Sequence, residues 1–226
     1  MTPKLRRSNS NKLKISDSTI LRLSKYYRAL VYWIEHEVKT VSSEMLAKHI
    51  GVAAAQVRKD LSYFGAFGRR GLGYNVSDLK DNIARIMGLE KKWKVALVGV
   101  GNIGRAMLEY DPFRSQGFDI MLCFDGDSDK IGRTFHGVTV LNENLLENEI
   151  SKISIDIVII AVPVFAAQSV ADRCVDAGVK GILNFAPINL NVPTEIFVKN
   201  ENMAMEIESL SFALTNPELA RGEASK

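Results

Sequence analysis

The sequence predicts an α/β protein: a small helical module, then a doubly wound and mainly parallel sheet, then a C-terminal helix. Three observations predict it. Charge divides near Lys92: residues 1–92 hold 18 Lys and Arg against 8 Asp and Glu, net +10, while the remainder holds 11 against 18, net −7. Apolar spacing changes at Lys94, from the three-and-four repeat of helices to short apolar runs alternating with amphipathic stretches. At that change stands a glycine-rich turn, Gly99-Val100-Gly101-Asn102-Ile103-Gly104, between a strand and a helix.

Size and composition narrow the class. The 226 residues suffice for two cores. No apolar run approaches the roughly 20 residues that span a bilayer, and "MTPKLRRSNSNKLK" lacks the hydrophobic centre of a secretion signal. The expectation is a cytoplasmic protein without a membrane segment. Cys123 and Cys174 stand in apolar surroundings with no second pair, so they read as buried small hydrophobes, and no metal site is expected. A basic part joined to an acidic one is the asymmetry of a nucleic-acid-binding module attached to something else.

Residues 1–17 read as a disordered basic tail and 18–90 as the basic module. Its first helix carries Ile20, Leu23, Tyr27, Leu30, Val31 and Ile34 on one face, with Ser16, Asp17 or Ser18 to cap it. A second helix, "SSEMLAKHIG", starts at Ser42 or Ser43, turns Leu46 and Ile50 inward and ends at Gly51. The third, "AAAQVRKDLSYFG", buries Val57, Leu61 and Phe64 and leaves Gln56, Arg58, Lys59, Ser62 and Tyr63 on its other faces.

Two short helices across a tight turn, the second with polar and basic residues outward, form a helix-turn-helix over about 23–64. Ala53, Ala54 and Ala55 let the third helix approach phosphates closely, while Gln56 and Arg58 or Lys59 are long enough to reach base edges. In "GAFGRRGLGYNV", Gly68, Gly71 and Gly73 permit a tight β-hairpin over about 66–76 with Arg69 and Arg70 at its tip. That is the wing of a winged helix, placed against phosphate or in a narrow minor groove.

Residues 91–201 read as a Rossmann domain. "KVALVG", "FDIMLCFD", "DIVIIAVP" and "VKGILNFA" are strands buried on both faces; "NIGRAMLEY", the stretch around "LLENEISKI" and "VFAAQSVADRCVDAG" are helices between them. Gly99 allows the turn, Gly101 lets a pyrophosphate approach the backbone, and Gly104 lets helix and strand pack closely. Asp125 ends the second strand 21 residues after Gly104, where an acid hydrogen-bonds the adenosine ribose and repels a 2′-phosphate, favouring NAD over NADP. Asp127 lies just beyond it, with Asp129 and Lys130 as weaker candidates. Ala161, Val162 and Pro163 stand at a strand's carboxyl end, near where a nicotinamide would lie.

A dehydrogenase needs a proton donor beside its substrate. His36 and His49 belong to the basic module, His136 follows the second strand, and Lys180 and Tyr110 have no catalytic spacing. No catalytic residue is therefore assigned, and about forty residues after Ala186 leave little for a substrate domain.

The combined pattern resembles the Rex family of redox-sensing transcriptional repressors from about Ser18 to Leu219. The likeness rests on "YYRAL", "VSSEMLAKHIGVAAAQVRKDLSYFGAFGRRGLGYNV", "VGVGNIGRAM", "FDGDSDKIG", "AVPVFAAQSVADRCVDAGVKGILNFAP" and "NVPTEIFV". The resemblance implies a homodimer that binds a palindromic operator and is released when NADH binds, with NADH and NAD+ as effectors and not consumed cofactors. It implies DNA contacts by Arg58, Lys59, Tyr63, Arg69 and Arg70, and cofactor contacts by Gly99 to Gly104 with Asp125. It further implies that residues 202–226 form a dimerisation helix, "MEIESLSFALTNPEL", exchanged between subunits near the partner's nicotinamide. Some members carry an aspartate and an aromatic residue at the start of that helix; Asn202-Met203 stands here, and Phe212 is a further candidate near the ring. The competing readings are a small NAD-dependent oxidoreductase with a basic extension and a DNA-binding protein whose Rossmann domain only dimerises.

Overall fold

The computed structural model describes residues 15–68 and 71–221. Residues 1–14 of the expected tail, 222–226 of the expected terminal segment, and both expected wing-tip arginines, Arg69 and Arg70, lie outside the described residues. The chain divides into two compact units between Glu90 and Lys91.

The first unit contains α1 (Asp17–Glu35), β1 (Thr40–Val41), α2 (Ser43–Ile50), α3 (Ala54–Ser62), β2 (Tyr74–Asn75) and α4 (Val76–Ile86). Side chains supply the helix starts: Ser16 accepts from Thr19 N–H, Ser42 from Met45 N–H and Asn75 from Asp78 N–H. Gly51 ends α2 in the left-handed region, φ 76°. Leu46, Val57, Leu61, Leu79 and Ile83 are buried together against α1. At about 1.5–3 kcal/mol per fully buried aliphatic side chain, these contacts hold the helices in place.

One expectation is corrected here. The buried face of α1 is Leu23, Tyr26, Ala29, Leu30 and Trp33, whereas Ile20 and Ile34 are exposed and Tyr27 and Val31 only partly covered. Both stripes have helical spacing; the chosen one offers the Tyr26 hydroxyl a buried acceptor. The glycine-rich segment brings Gly68 against Gly73 and Tyr74. Its return strand β2 pairs antiparallel with β1, Thr40 opposite Asn75 and Val41 opposite Tyr74. A Cβ at Gly73, φ +76°, would collide with the Val41 carbonyl, so only glycine permits that approach.

The second unit comprises β3 (Trp93–Val98), α5 (Asn102–Leu108), α6 (Pro112–Ser115), β4 (Phe118–Asp125), β5 (Thr134–Phe135), β6 (Val138–Asn142), α7 (Leu146–Ile153), β7 (Ile157–Ile160), α8 (Val164–Asp176), β8 (Gly181–Asn184), β9 (Phe197–Asn200), α9 (Met203–Thr215) and α10 (Pro217–Arg221). The strands lie in the order β5-β6-β4-β3-β7-β8-β9, all parallel except the short edge strand β5. From β6 to β9 this is the doubly wound 3-2-1-4-5-6 arrangement, which reverses direction between β3 and β7. Ala96, Val98, Phe124, Val158 and Ile160 pack on α7 and α8; Val95, Leu97, Cys123 and Ile159 form the core on the sheet's other face.

The C-terminal helix α9 differs from every other long helix of the chain. Met203, Met205, Ile207, Leu210, Phe212 and Leu214 are all exposed, and none of its residues is buried.

Candidate functional site

In the first unit the turn between α2 and α3 presents α3 outward. Arg58, Lys59, Ser62 and Tyr63 are exposed together along it and just past its end. Arg58 Nη1 donates to Ser43 Oγ at 2.8 Å and to Glu44 Oε1 at 3.1 Å. Ser62 Oγ donates to the Lys59 carbonyl at 2.7 Å. Between the start of α2, α3 and the 65–74 loop lies an open cavity of about 600 Å³, lined among others by Arg58, Ser62, Phe67 and Tyr74.

Gln56 is not brought together with these residues. Its amide donates to Asp60 Oδ1 at 2.8 Å, beneath the helix. Asp60 is completely buried and accepts three further side-chain donors: Arg22 through Nε at 2.6 Å and Nη2 at 2.9 Å, the Tyr26 hydroxyl at 2.9 Å, and Thr19 at 3.5 Å. Burial pushes the carboxyl up, but the donors from Arg22, Gln56 and Tyr26 outweigh it and hold it below the usual carboxylate range. Burial also raises the Tyr26 hydroxyl, as does its bond to Asp60. Sequence reading missed this cluster. Its signal was an acid on the stripe Val57-Asp60-Leu61-Phe64, with Arg22 and Tyr26 one helical turn apart.

In the second unit the fingerprint leaves β3 beside the end of β7, where the sheet order reverses. A Cβ at Gly99, φ +95°, would collide with the Ala161 carbonyl, and one at Gly104 with the Gly99 carbonyl. Nothing lies within 4 Å of a Cβ at Gly101. Gly99 and Gly104 thus close the turn onto its neighbours, while Gly101 keeps the backbone open to the outside. Asn102 and Ile103 follow on the exposed first turn of α5, and Val100 is buried beneath. An approaching phosphate fits this arrangement: a clear face before Gly101 and the N–H groups at the start of α5.

Asp125 closes β4 next to that turn. Oδ2 accepts from Val100 N–H at 2.7 Å and from Lys130 Nζ at 3.1 Å, and Oδ1 accepts from Asp127 N–H at 2.9 Å. Burial opposes ionisation; the two backbone donors and Lys130 prevail, so the group sits below the usual range. The acid that sequence reading assigned to a ribose therefore also braces the glycine turn, and Lys130 offsets part of the charge expected to exclude a 2′-phosphate. Asp127 is about half exposed, meets Lys130 at 3.5 Å and accepts from Asp129 N–H at 3.0 Å. Ala161, Val162 and Pro163 line the opposite lip; Ala161 N–H donates to the Val98 carbonyl at 2.8 Å, and Pro163 starts α8.

His136 and Tyr110 line a small pocket with Phe113 and Phe118, at the opposite end of β4 from Asp125. The thiols of Cys123 and Cys174 are buried and pushed up to about 11 and about 12 by that burial, so they are protonated at neutral pH. Among the described residues no group of three or more His, Cys, Asp or Glu could hold a metal, and no helix is long and apolar enough to cross a membrane.

Residues 14–62 match a family model described as "Putative DNA-binding protein N-terminus", and residues 90–188 one described as "CoA binding domain". The chain is 48% identical over 200 residues to the redox-sensing transcriptional repressor Rex of Desulfitobacterium hafniense, covering 88% of this chain and 95% of that protein. It is 44% identical over 210 residues to that of Pelotomaculum thermopropionicum, covering 93% and 99%. Its fold is similar to that of RSP, a Rex-family repressor. The RSP complex with NAD+ and operator DNA matches with TM-score 0.87 and 37% identity over 95% of this chain and 100% of that one. The complex with NADH matches with TM-score 0.83 and 36% identity over 93% and 99%.

Proposed function

The chain belongs to the Rex family of redox-sensing transcriptional repressors, and on that premise we propose that it binds a palindromic operator as a cytoplasmic homodimer and releases it when NADH binds. The observation that carries the reading is the union, in one chain, of an exposed basic second helix of a helix-turn-helix with an open glycine turn at the sheet's switch point. Arg58 and Lys59 reach base edges or phosphates, Ser62 and Tyr63 contact the backbone, and Arg69 and Arg70 add the wing's charge. Gln56 is the least suited of the proposed set, because its amide is held toward the buried Asp60.

NADH and NAD+ differ by one hydride and one positive charge, confined to the nicotinamide. Contacts by Gly101 and Asp125 to the shared remainder give affinity without information, because only differential affinity shifts an equilibrium. Discrimination then falls to the groups around the ring: Ala161, Val162 and Pro163 from one protomer, and an apolar surface able to cover a neutral ring better than a cation. In this reading α9 of a second copy supplies that surface. Its six exposed large apolar side chains have no cover among the described residues, and Asn202, which accepts from Ala204 N–H at 3.0 Å, starts it with a neutral cap where some members carry an acid. Closure of the dimer then moves the two α3 helices off the spacing of roughly 34 Å that successive major grooves require.

The test is operator binding with NAD+, with NADH and with neither, over a salt series. Release by NADH alone is expected, with operator weakening NADH binding by the same factor. Equal NADH affinity with and without operator would overturn the mechanism, and turnover of NADH with a carbonyl substrate would overturn the assignment.

A further inference from the structure

Arg58 is exposed on α3, yet its guanidinium is already engaged. Nη1 donates to Ser43 Oγ and Glu44 Oε1, and Ser43 Oγ donates to the same carboxylate oxygen at 3.3 Å. Glu44 lies in the first turn of α2; its own backbone N–H, the Ser42 and Ser43 hydroxyls and Arg58 hold it below the usual carboxylate range. A carboxylate and one hydroxyl from the start of α2 thus hold one edge of the cation beside the open cavity along α3. An exposed ion pair adds little to stability. Its consequence is competition, because a fork that uses Nη1 for a guanine edge or a phosphate must leave the carboxylate.

We propose that Glu44 is an intramolecular competitor of DNA for Arg58, and that it lowers affinity for the operator more than for other sequences. The inference rests on the reading of α3 as the DNA-reading helix. A guanine edge offers two acceptors matched to the fork and displaces the carboxylate; a phosphate alone offers an anion no better placed than Glu44. On the wrong sequence Arg58 therefore stays with Glu44 and the pair is kept, whereas the operator complex breaks it and leaves an uncompensated carboxylate near the phosphates.

The experiment uses the full-length protein, a duplex enriched by the wild-type protein from a random-sequence pool, and a scrambled duplex of the same composition. Affinities are measured for wild type, Glu44→Gln, Glu44→Asp, Arg58→Ala and Glu44→Gln/Arg58→Ala. Glu44→Gln is expected to tighten the enriched duplex about tenfold and scrambled DNA about threefold, so discrimination rises about threefold. Glu44→Asp keeps the charge and shortens the reach, and should shift affinity in the same direction by less. In the Arg58→Ala background the Glu44→Gln effect should shrink below about twofold. An undiminished effect there would make Glu44 a bulk charge, and weaker binding of the enriched duplex by Glu44→Gln would make it a positioning partner; either overturns the proposal. If Arg58→Ala leaves enriched-duplex affinity unchanged, the role of Arg58 fails with it. If the wild type enriches no duplex, the operator-binding reading itself fails.

Discussion

Asp60 and Asp125 are both low-pKa aspartates that accept from several donors, one in each unit, and they do opposite work. Asp60 is fully buried, and its donors are side chains from α1 and from its own helix: a bidentate Arg22, Tyr26, Thr19 and Gln56. Asp125 keeps about a tenth of its side chain exposed, and two of its three donors are backbone N–H groups of the loops it organises. The difference teaches that donor type separates a lock from a platform. Side-chain donors surrounding a carboxylate fasten two helices, whereas backbone donors on one side shape a loop and leave the other side for a ligand.

The largest effect expected from breaking this contrast is Asp60→Ala. It leaves the Arg22 cation and the Tyr26 hydroxyl without their acceptor, and a broken buried pair costs about 3–5 kcal/mol. Thermal or urea unfolding should show it, with DNA binding lost as a consequence. Next come two glycines of one fingerprint. Gly104→Ala must push apart α5 and the turn and should destabilise the second unit by about 2–3 kcal/mol. Gly101→Ala meets open space and should change stability by less than about 1 kcal/mol while weakening NADH binding at least about tenfold. Calorimetric unfolding beside NADH titration separates the two.

Asp125→Asn should act on both counts but moderately. The braces from Val100 and Lys130 weaken by about 1 kcal/mol, and NADH affinity falls about tenfold. A stability loss as large as that of Asp60→Ala would erase the distinction. The smallest effect is in pH. Both carboxyls are lowered in the folded chain, so each contributes stability that is complete above the unfolded value near about 4 and is lost as pH falls through the folded value. Unfolding free energy should therefore decline from about pH 4 downward, and Asp60→Asn should flatten that decline.

Much of this was legible in the residues. The fingerprint predicted a strand before it and a helix after it, and β3 and α5 lie there; Ser42 and Gly51 bound α2 as their chemistry requires. Four of the parallel strands follow from apolar runs. β5 is only two residues long, Thr139 and Asn142 break up β6, and Lys199 and Asn200 occupy half of β9; the pairing of β2 with β1 joins residues more than thirty apart in the chain.

By itself the sequence determined what depends on neighbours along the chain: the division of charge, the helix ends, the glycine turn and the alternation of strand and helix. Tertiary structure alone decided which of two adjacent stripes of α1 turned inward, because that depends on whether Tyr26 meets an acceptor 34 residues away. It also sent Gln56 to Asp60, paired Arg58 with Glu44 and tied Asp125 to Lys130. Those choices are matters of distance and geometry between polar groups, and a buried donor or acceptor must find its partner in space, not in the sequence.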